Sequence, residues 1–179
     1  MALVEPVIFQ IVGYQNSGKT TVVTKVINRL HTKGFKVVSI KHHGHGGKPD
    51  VYEQKDSSRH IQFGAVASIV EGDGRLLLQS EQDTWSLNEK ISLMKYFTPD
   101  LILIEGYKKE IFPKLIILKD EDEARELLKL DNIQFLLVWN ERLQKYLSET
   151  TNISCYHIHD ENGIDKIVNF LERQICSKN

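Results

Sequence analysis

Eight consecutive residues constrain this chain more than any other feature: Gly13-Tyr14-Gln15-Asn16-Ser17-Gly18-Lys19-Thr20 spell a complete G-x-x-x-x-G-K-T loop. That spacing serves phosphate chemistry because two glycines let the backbone curl around an anion, successive N–H groups point inward, and the helix that follows adds its positive end. The flanks agree. Val7-Ile8-Phe9-Gln10-Ile11-Val12 is a short, nearly continuous apolar run suited to a strand buried on both faces of a parallel sheet. Val22, Val23, Val26, Ile27 and Leu30 then recur at helical spacing, with Gly34 as a C-terminal stop. Lys19 is placed to reach the β- and γ-phosphates of a nucleoside triphosphate and Thr20 to hold Mg²⁺.

The remaining elements alternate. Phe35 to Ile40 reads as a strand, followed by a polar, glycine-rich loop, Lys41 to Asp50. A short helix follows, with Asp56 or Ser57 as N-cap. Val66 to Val70 and Leu76 to Gln79 flank Gly72-Asp73-Gly74 as a hairpin. Leu87 to Phe97 is helical and stops before Pro99. Asp100 to Ile104, Lys114 to Leu118, Gln134 to Trp139 and Tyr156 to Ile158 are further strands, interspersed with helix patterns at Asp120 to Lys129 and Ile164 to Ile175. The expected fold is a three-layer α/β domain of P-loop NTPase type: a mostly parallel sheet, helices on both faces, and a β-hairpin insertion. Residues 1–179 are expected to form a single nucleotide-binding domain.

Composition limits what else the chain does. Its net charge of −1 gives no global field for a polyanion, so nucleic acid is not expected. No apolar stretch approaches the roughly 20 residues that span a bilayer, and Met1 to Pro6 lacks the regions of a signal peptide, so a cytoplasmic protein is expected. Cys155 and Cys176 lack metal or redox spacing and are expected to be reduced.

A second carboxylate is the other requirement of a Mg²⁺-nucleotide site. Glu105 ends the buried run Leu101-Ile102-Leu103-Ile104 and so reaches the strand's carboxyl end. Asp100 begins the same strand and lies roughly 15 Å away at strand rise. A local cap or pair with Lys108 or Lys114 is the alternative use of Glu105.

Taken in order, Gly13 to Thr20, Lys41-His42-His43, Asp56-Ser57-Ser58-Arg59-His60 with Gly64-Ala65, Glu105-Gly106-Tyr107-Lys108 and Pro113-Lys114 resemble the MobB family of molybdopterin-guanine dinucleotide biosynthesis adapters. The resemblance covers about Val7 to Leu118. It implies a GTP-binding homodimer with weak GTPase activity that assists a molybdopterin guanylyltransferase, with molybdopterin itself as a candidate second ligand. The implied nucleotide site is Gly13, Asn16, Ser17, Gly18, Lys19, Thr20 and Thr21, with Lys19 and Glu105 catalytic and Thr20 and Glu105 at the metal. Arg59 and His60 are implied on the rim for phosphate or pterin oxygens, against the simpler reading of an exposed helix face. Lys41 and Lys108 could neutralise an anionic second ligand.

Other readings stay open. The Asn-Lys-x-Asp guanine reader is missing, and the corresponding stretch, Trp139-Asn140-Glu141-Arg142, offers only Asn140 or Glu141. A small-molecule kinase would use the same loop but needs an arginine-bearing lid. A metal-delivery GTPase could use His42, His43 and His45. For the dimer surface, both the hairpin and the helix from Leu87 to Phe97 are candidates.

Overall fold

The computed structural model describes residues 5–43 and 56–178. The chain divides into two compact units, Met1–His42 with Ile91–Asn179, and His43–Lys90.

The larger unit is built on a six-stranded sheet of β1 (Val7–Val12), β2 (Val37–Lys41), β5 (Leu101–Glu105), β6 (Lys114–Leu118), β7 (Ile133–Val138) and β8 (Ser154–His157). The strands run in the order β2-β5-β1-β6-β7-β8, and every pairing is parallel. β5 and β6 are buried at every position, as their unbroken apolar runs require once helices cover both faces.

Two apolar layers follow from the two-residue period of the strands. Phe9, Ile11, Leu101, Leu103, Leu115 and Ile117 face α1 (Lys19–Thr32) and α6 (Glu161–Cys176). Val12, Ile116, Leu118, Leu136 and Val138 face α4 (Glu121–Leu127) and α5 (Glu141–Thr150). α6 commits Ile164, Ile167, Val168, Leu171 and Ile175 to the first layer, each side chain stabilising the fold by about 1.5–3 kcal/mol on burial. Helix α5 was not read from the sequence. The three-layer expectation therefore holds, with a parallel sheet and helices on both sides.

The smaller unit contains α2 (Asp56–Gln62) and the antiparallel ribbon β3 (Ala67–Gly72) and β4 (Arg75–Ser80), which is the expected hairpin. Its turn carries Asp73 and Gly74 at positive φ, 49° and 76°, as an Asp-Gly turn demands. The division between units falls within α3 (Leu87–Lys95), which begins with Ser86 and Glu89 capping one another's N–H groups. The caps expected from Asp56 or Ser57, and the loop beyond His43 with His45, lie outside the described residues or side chains.

No described helix is long and apolar enough to cross a membrane. Both cysteines are free; burial pushes the Cys155 thiol up from 9.0 to about 11, so it is inert at neutral pH.

Candidate functional site

The glycine loop leaves β1 and enters α1 as expected. Gly13 is required by crowding: a Cβ there would lie 2.6 Å from Ser17 Oγ and 3.0 Å from the Ile117 carbonyl oxygen. Gly18 caps α1 at φ 92°, a conformation that costs a residue with a side chain about 1–2 kcal/mol. Asn16 is also left-handed, at φ 55°.

Helix α1 begins without a side-chain cap and without an acidic residue in its first turn. By contrast α4, α5 and α6 are capped by Asp120, Asn140 and Asp160, and each has an acid in its first turn. The exposed N–H groups of α1 thus keep their affinity for an external anion. Ser17 Oγ is buried beneath the loop with no hydrogen-bond partner among the described residues.

Lys19 folds back to donate to the Tyr14 carbonyl at 2.6 Å. Burial holds its ammonium below the usual lysine range; Glu105 works against that shift, while Lys41 and Lys119 add to it. Those cations border the loop from neighbouring strands. Lys119, just past β6, donates to the Gln15 carbonyl at 3.2 Å and pairs with Glu123. Lys108 stands over the Tyr14 ring, 4.6 Å from its centroid, and the Tyr14 hydroxyl donates to Glu126.

Glu105 is brought to the loop by strand register. It pairs with Ile11 of β1 on one side and with Lys41 of β2 on the other, so its side chain leaves the sheet on the α1 face. There Thr20 Oγ1 donates to Glu105 Oε1 at 2.9 Å, and Glu105 is only 7% exposed. A hydroxyl oxygen beside a carboxylate is a hard donor pair, which fits Mg²⁺. Asp100 instead accepts from the Lys36 N–H, at the other end of the strand.

The segment after Glu105 is fastened from beneath. Gln10 and Lys114 are register partners, and their side chains leave the sheet on the same face. Gln10 Nε2 donates to the Gly106 and Tyr107 carbonyls at 3.1 and 2.9 Å. Lys114, fully buried, donates to Glu110 and Asp131 carbonyls, both at 2.7 Å. These bonds hold a segment in which Gly106 and Tyr107 are consecutive left-handed residues, at φ 98° and 54°.

Sequence reading missed Trp139. It follows β7, and its indole N–H donates to the Ser17 carbonyl at 2.9 Å, bracing the loop from the side away from Glu105. His159 meets its ring edge-on at 5.2 Å, and the Trp139 carbonyl lies 3.1 Å from His157 Nε2. The only sequence signal was position, an aromatic residue at the carboxyl end of a buried strand.

Thr21 is exposed on α1, one residue beyond Thr20. Arg59 and His60 occupy the last turn of α2 in the smaller unit and are exposed. His42 and His43 are exposed, and the His42 ring lies against Tyr107 at 4.6 Å. Among the described residues no group of three His, Cys, Asp or Glu is assembled to hold a metal.

Comparison with known proteins fits this geometry. The family model described as "Molybdopterin guanine dinucleotide synthesis protein B", MobB, matches residues 8–139, from β1 through Trp139. The chain belongs to the MobB family. A Bacillus subtilis relative described as a "Probable molybdopterin-guanine dinucleotide biosynthesis adapter protein" is 34% identical over 96% of this chain and 98% of its own length. A Haemophilus influenzae relative described as a "Molybdopterin-guanine dinucleotide biosynthesis adapter protein" is 31% identical over 90% of this chain and 85% of its own. The crystal structure of Bacillus subtilis MobB superposes with a TM-score of 0.79 at 31% identity, covering 90% of this chain and 96% of that one. The MobB match therefore spans the loop, Lys41, Glu105 and the fastened segment together.

Proposed function

We propose that this chain is a GTP-binding adapter of molybdenum-cofactor biosynthesis that works in the cytoplasm beside the guanylyltransferase joining GMP to molybdopterin. The observation that carries the nucleotide half is the uncapped start of α1, with Lys19 inside the loop and the Thr20–Glu105 pair at its side. Gly13, Asn16, Ser17, Gly18 and Lys19 would line the phosphates. Thr20 and Glu105 would hold Mg²⁺, which when bound neutralises charge shared between phosphate oxygens. The adapter half rests on family membership.

Hydrolysis by the chain alone is expected to be slow. Gln15 is exposed, and its carbonyl is held by Lys119. Arg29 is engaged by Glu161 and Asp165 on the later turns of α1. Arg29 therefore does not stand ready to stabilise a leaving phosphate, a role worth about 10³–10⁵ in assisted GTPases. Arg59 and His60 are proposed as contacts for phosphate or pterin oxygens of a second ligand.

The base is read without the usual carboxylate motif. Asn140 accepts from the N–H groups of Arg142 and Leu143 and so is committed to capping α5. Calorimetric titration with GTP and with ATP, each in Mg²⁺, tests the assignment. GTP binding with little ATP binding is expected; equal binding or ATP preference would favour the small-molecule kinase instead.

The hairpin is proposed as the homodimer surface. Ile69, Val70, Leu76, Leu77 and Leu78 are all exposed on a two-stranded ribbon, which buries little apolar area by itself. A second copy would cover these side chains through a self-complementary contact. Leu77→Glu is expected to convert the dimer to monomer in light scattering while leaving nucleotide affinity unchanged, and a dimer of undiminished stability would move the interface elsewhere.

A further inference from the structure

The position suited to a divalent cation already has a cationic neighbour of its own. Lys41 Nζ lies 3.2 Å from Thr20 Oγ1 and 3.4 Å from Glu105 Oε1. The Thr20 hydroxyl donates to Glu105 and accepts from Lys41, so hydroxyl, carboxylate and ammonium form a closed triangle. Building on the nucleotide reading above, we propose that the Lys41 ammonium is an internal surrogate for the metal, neutralising Glu105 in the nucleotide-free chain and displaced when a divalent ion arrives with a polyphosphate.

Three observations support the assignment. Glu105 is 7% exposed, and a carboxylate so placed needs a compensating charge at all times. Lys41 is the register partner of Glu105 on the adjacent strand, so its ammonium is tethered within reach. Its side chain is nevertheless 60% exposed, so it can leave for water or another anion without unpacking any core.

The ammonium and a divalent ion compete for the same lone pairs. Lys41 occupies the acceptor side of Thr20 Oγ1 and the field of Glu105, and like charges a few ångströms apart repel. A free divalent ion offers Lys41 nothing in return. A polyphosphate supplies oxygens to both, giving the ion further ligands and the ammonium a new partner. Metal and nucleotide therefore bind as one unit, and the empty chain resists loading by free ions. This role differs from neutralising a second ligand, because it predicts that removing Lys41 strengthens metal binding.

The test is Mn²⁺ binding to the full chain without nucleotide, followed by electron paramagnetic resonance of the free ion. Parent, Lys41→Met, Lys41→Arg and Lys41→Met with Glu105→Gln are compared. Lys41→Met should bind Mn²⁺ about tenfold or more tightly than the parent, the scale of removing one nearby like charge. Lys41→Arg should resemble the parent, and the double variant should lose the gain, locating the ion at Glu105. Unchanged or weaker Mn²⁺ binding by Lys41→Met overturns the proposal, as does a gain that survives Glu105→Gln. A companion titration with GTP separates the two readings. Loss of GTP affinity in Lys41→Met with no gain in Mn²⁺ affinity makes Lys41 a phosphate ligand only. Failure of every variant and the parent to bind GTP refutes the nucleotide reading, while the nucleotide-free Mn²⁺ comparison still decides whether Lys41 guards the metal position.

Discussion

Lys19→Ala is expected to weaken nucleoside triphosphate binding by about a hundredfold or more, because a charge-assisted hydrogen bond contributes about 1.5–3 kcal/mol and Lys19 is positioned to make more than one. The fold should survive. Among the described residues Lys19 makes one hydrogen bond, to the Tyr14 carbonyl, and burial depresses its basicity, which marks a cation kept in place at a cost. Removing it relieves that desolvation while giving up the single bond, so thermal unfolding should move by only a few degrees. Calorimetry for binding and circular dichroism for stability check the pair of expectations. An unfolded variant, or one that binds as tightly as the parent, contradicts this role.

Lys114→Met should act in the opposite way, on stability first. The methionine fills most of the volume of the fully buried lysine but cannot donate, so the part-buried bonds to the Glu110 and Asp131 carbonyls are lost. Two hydrogen bonds from a charged donor, at about 1.5 kcal/mol each, give a loss of about 3 kcal/mol, or roughly 6–12 °C in a domain of this size. The effect should spread to the site, since Lys114 and Gln10 together fasten the segment from Gly106 to Glu110. Mg²⁺-dependent nucleotide affinity should fall more than affinity measured without metal, because Glu105 immediately precedes that segment. A melting temperature within 2 °C of the parent, a small change for a domain this size, would show that Lys114 is not the fastening.

Most of the sheet was legible because its strands are short apolar runs bounded by glycine, proline or charge. β6 matches the expected Lys114 to Leu118 at both ends, and β5 is displaced by one residue. Helix α5 escaped because its buried stripe is sparse, only Leu143 and Leu147, and because Asn140 was weighed as a base reader when it is the cap that starts the helix. Strand order could not be read, since β1 pairs with β5 and β6, both far away in sequence.

The candidate site divides along the same line. The loop and Glu105 carry local signatures: glycines at fixed spacing, and a carboxylate closing an apolar run. Lys41 against Glu105 depends on the β2–β5 register, and Trp139 against Ser17 depends on the sheet bringing β7 near β1. Gln10 looked like a minor interruption of an apolar strand, yet its amide clamps two carbonyls more than ninety positions away.

The most direct test of the adapter assignment is the rate of molybdopterin guanine dinucleotide formation by a purified guanylyltransferase with GTP and Mg²⁺, measured with and without this chain. Acceleration by the parent chain, lost with Lys19→Ala, is the expected result. A chain that binds GTP and Mg²⁺ yet leaves that rate unchanged at saturating concentration would contradict it.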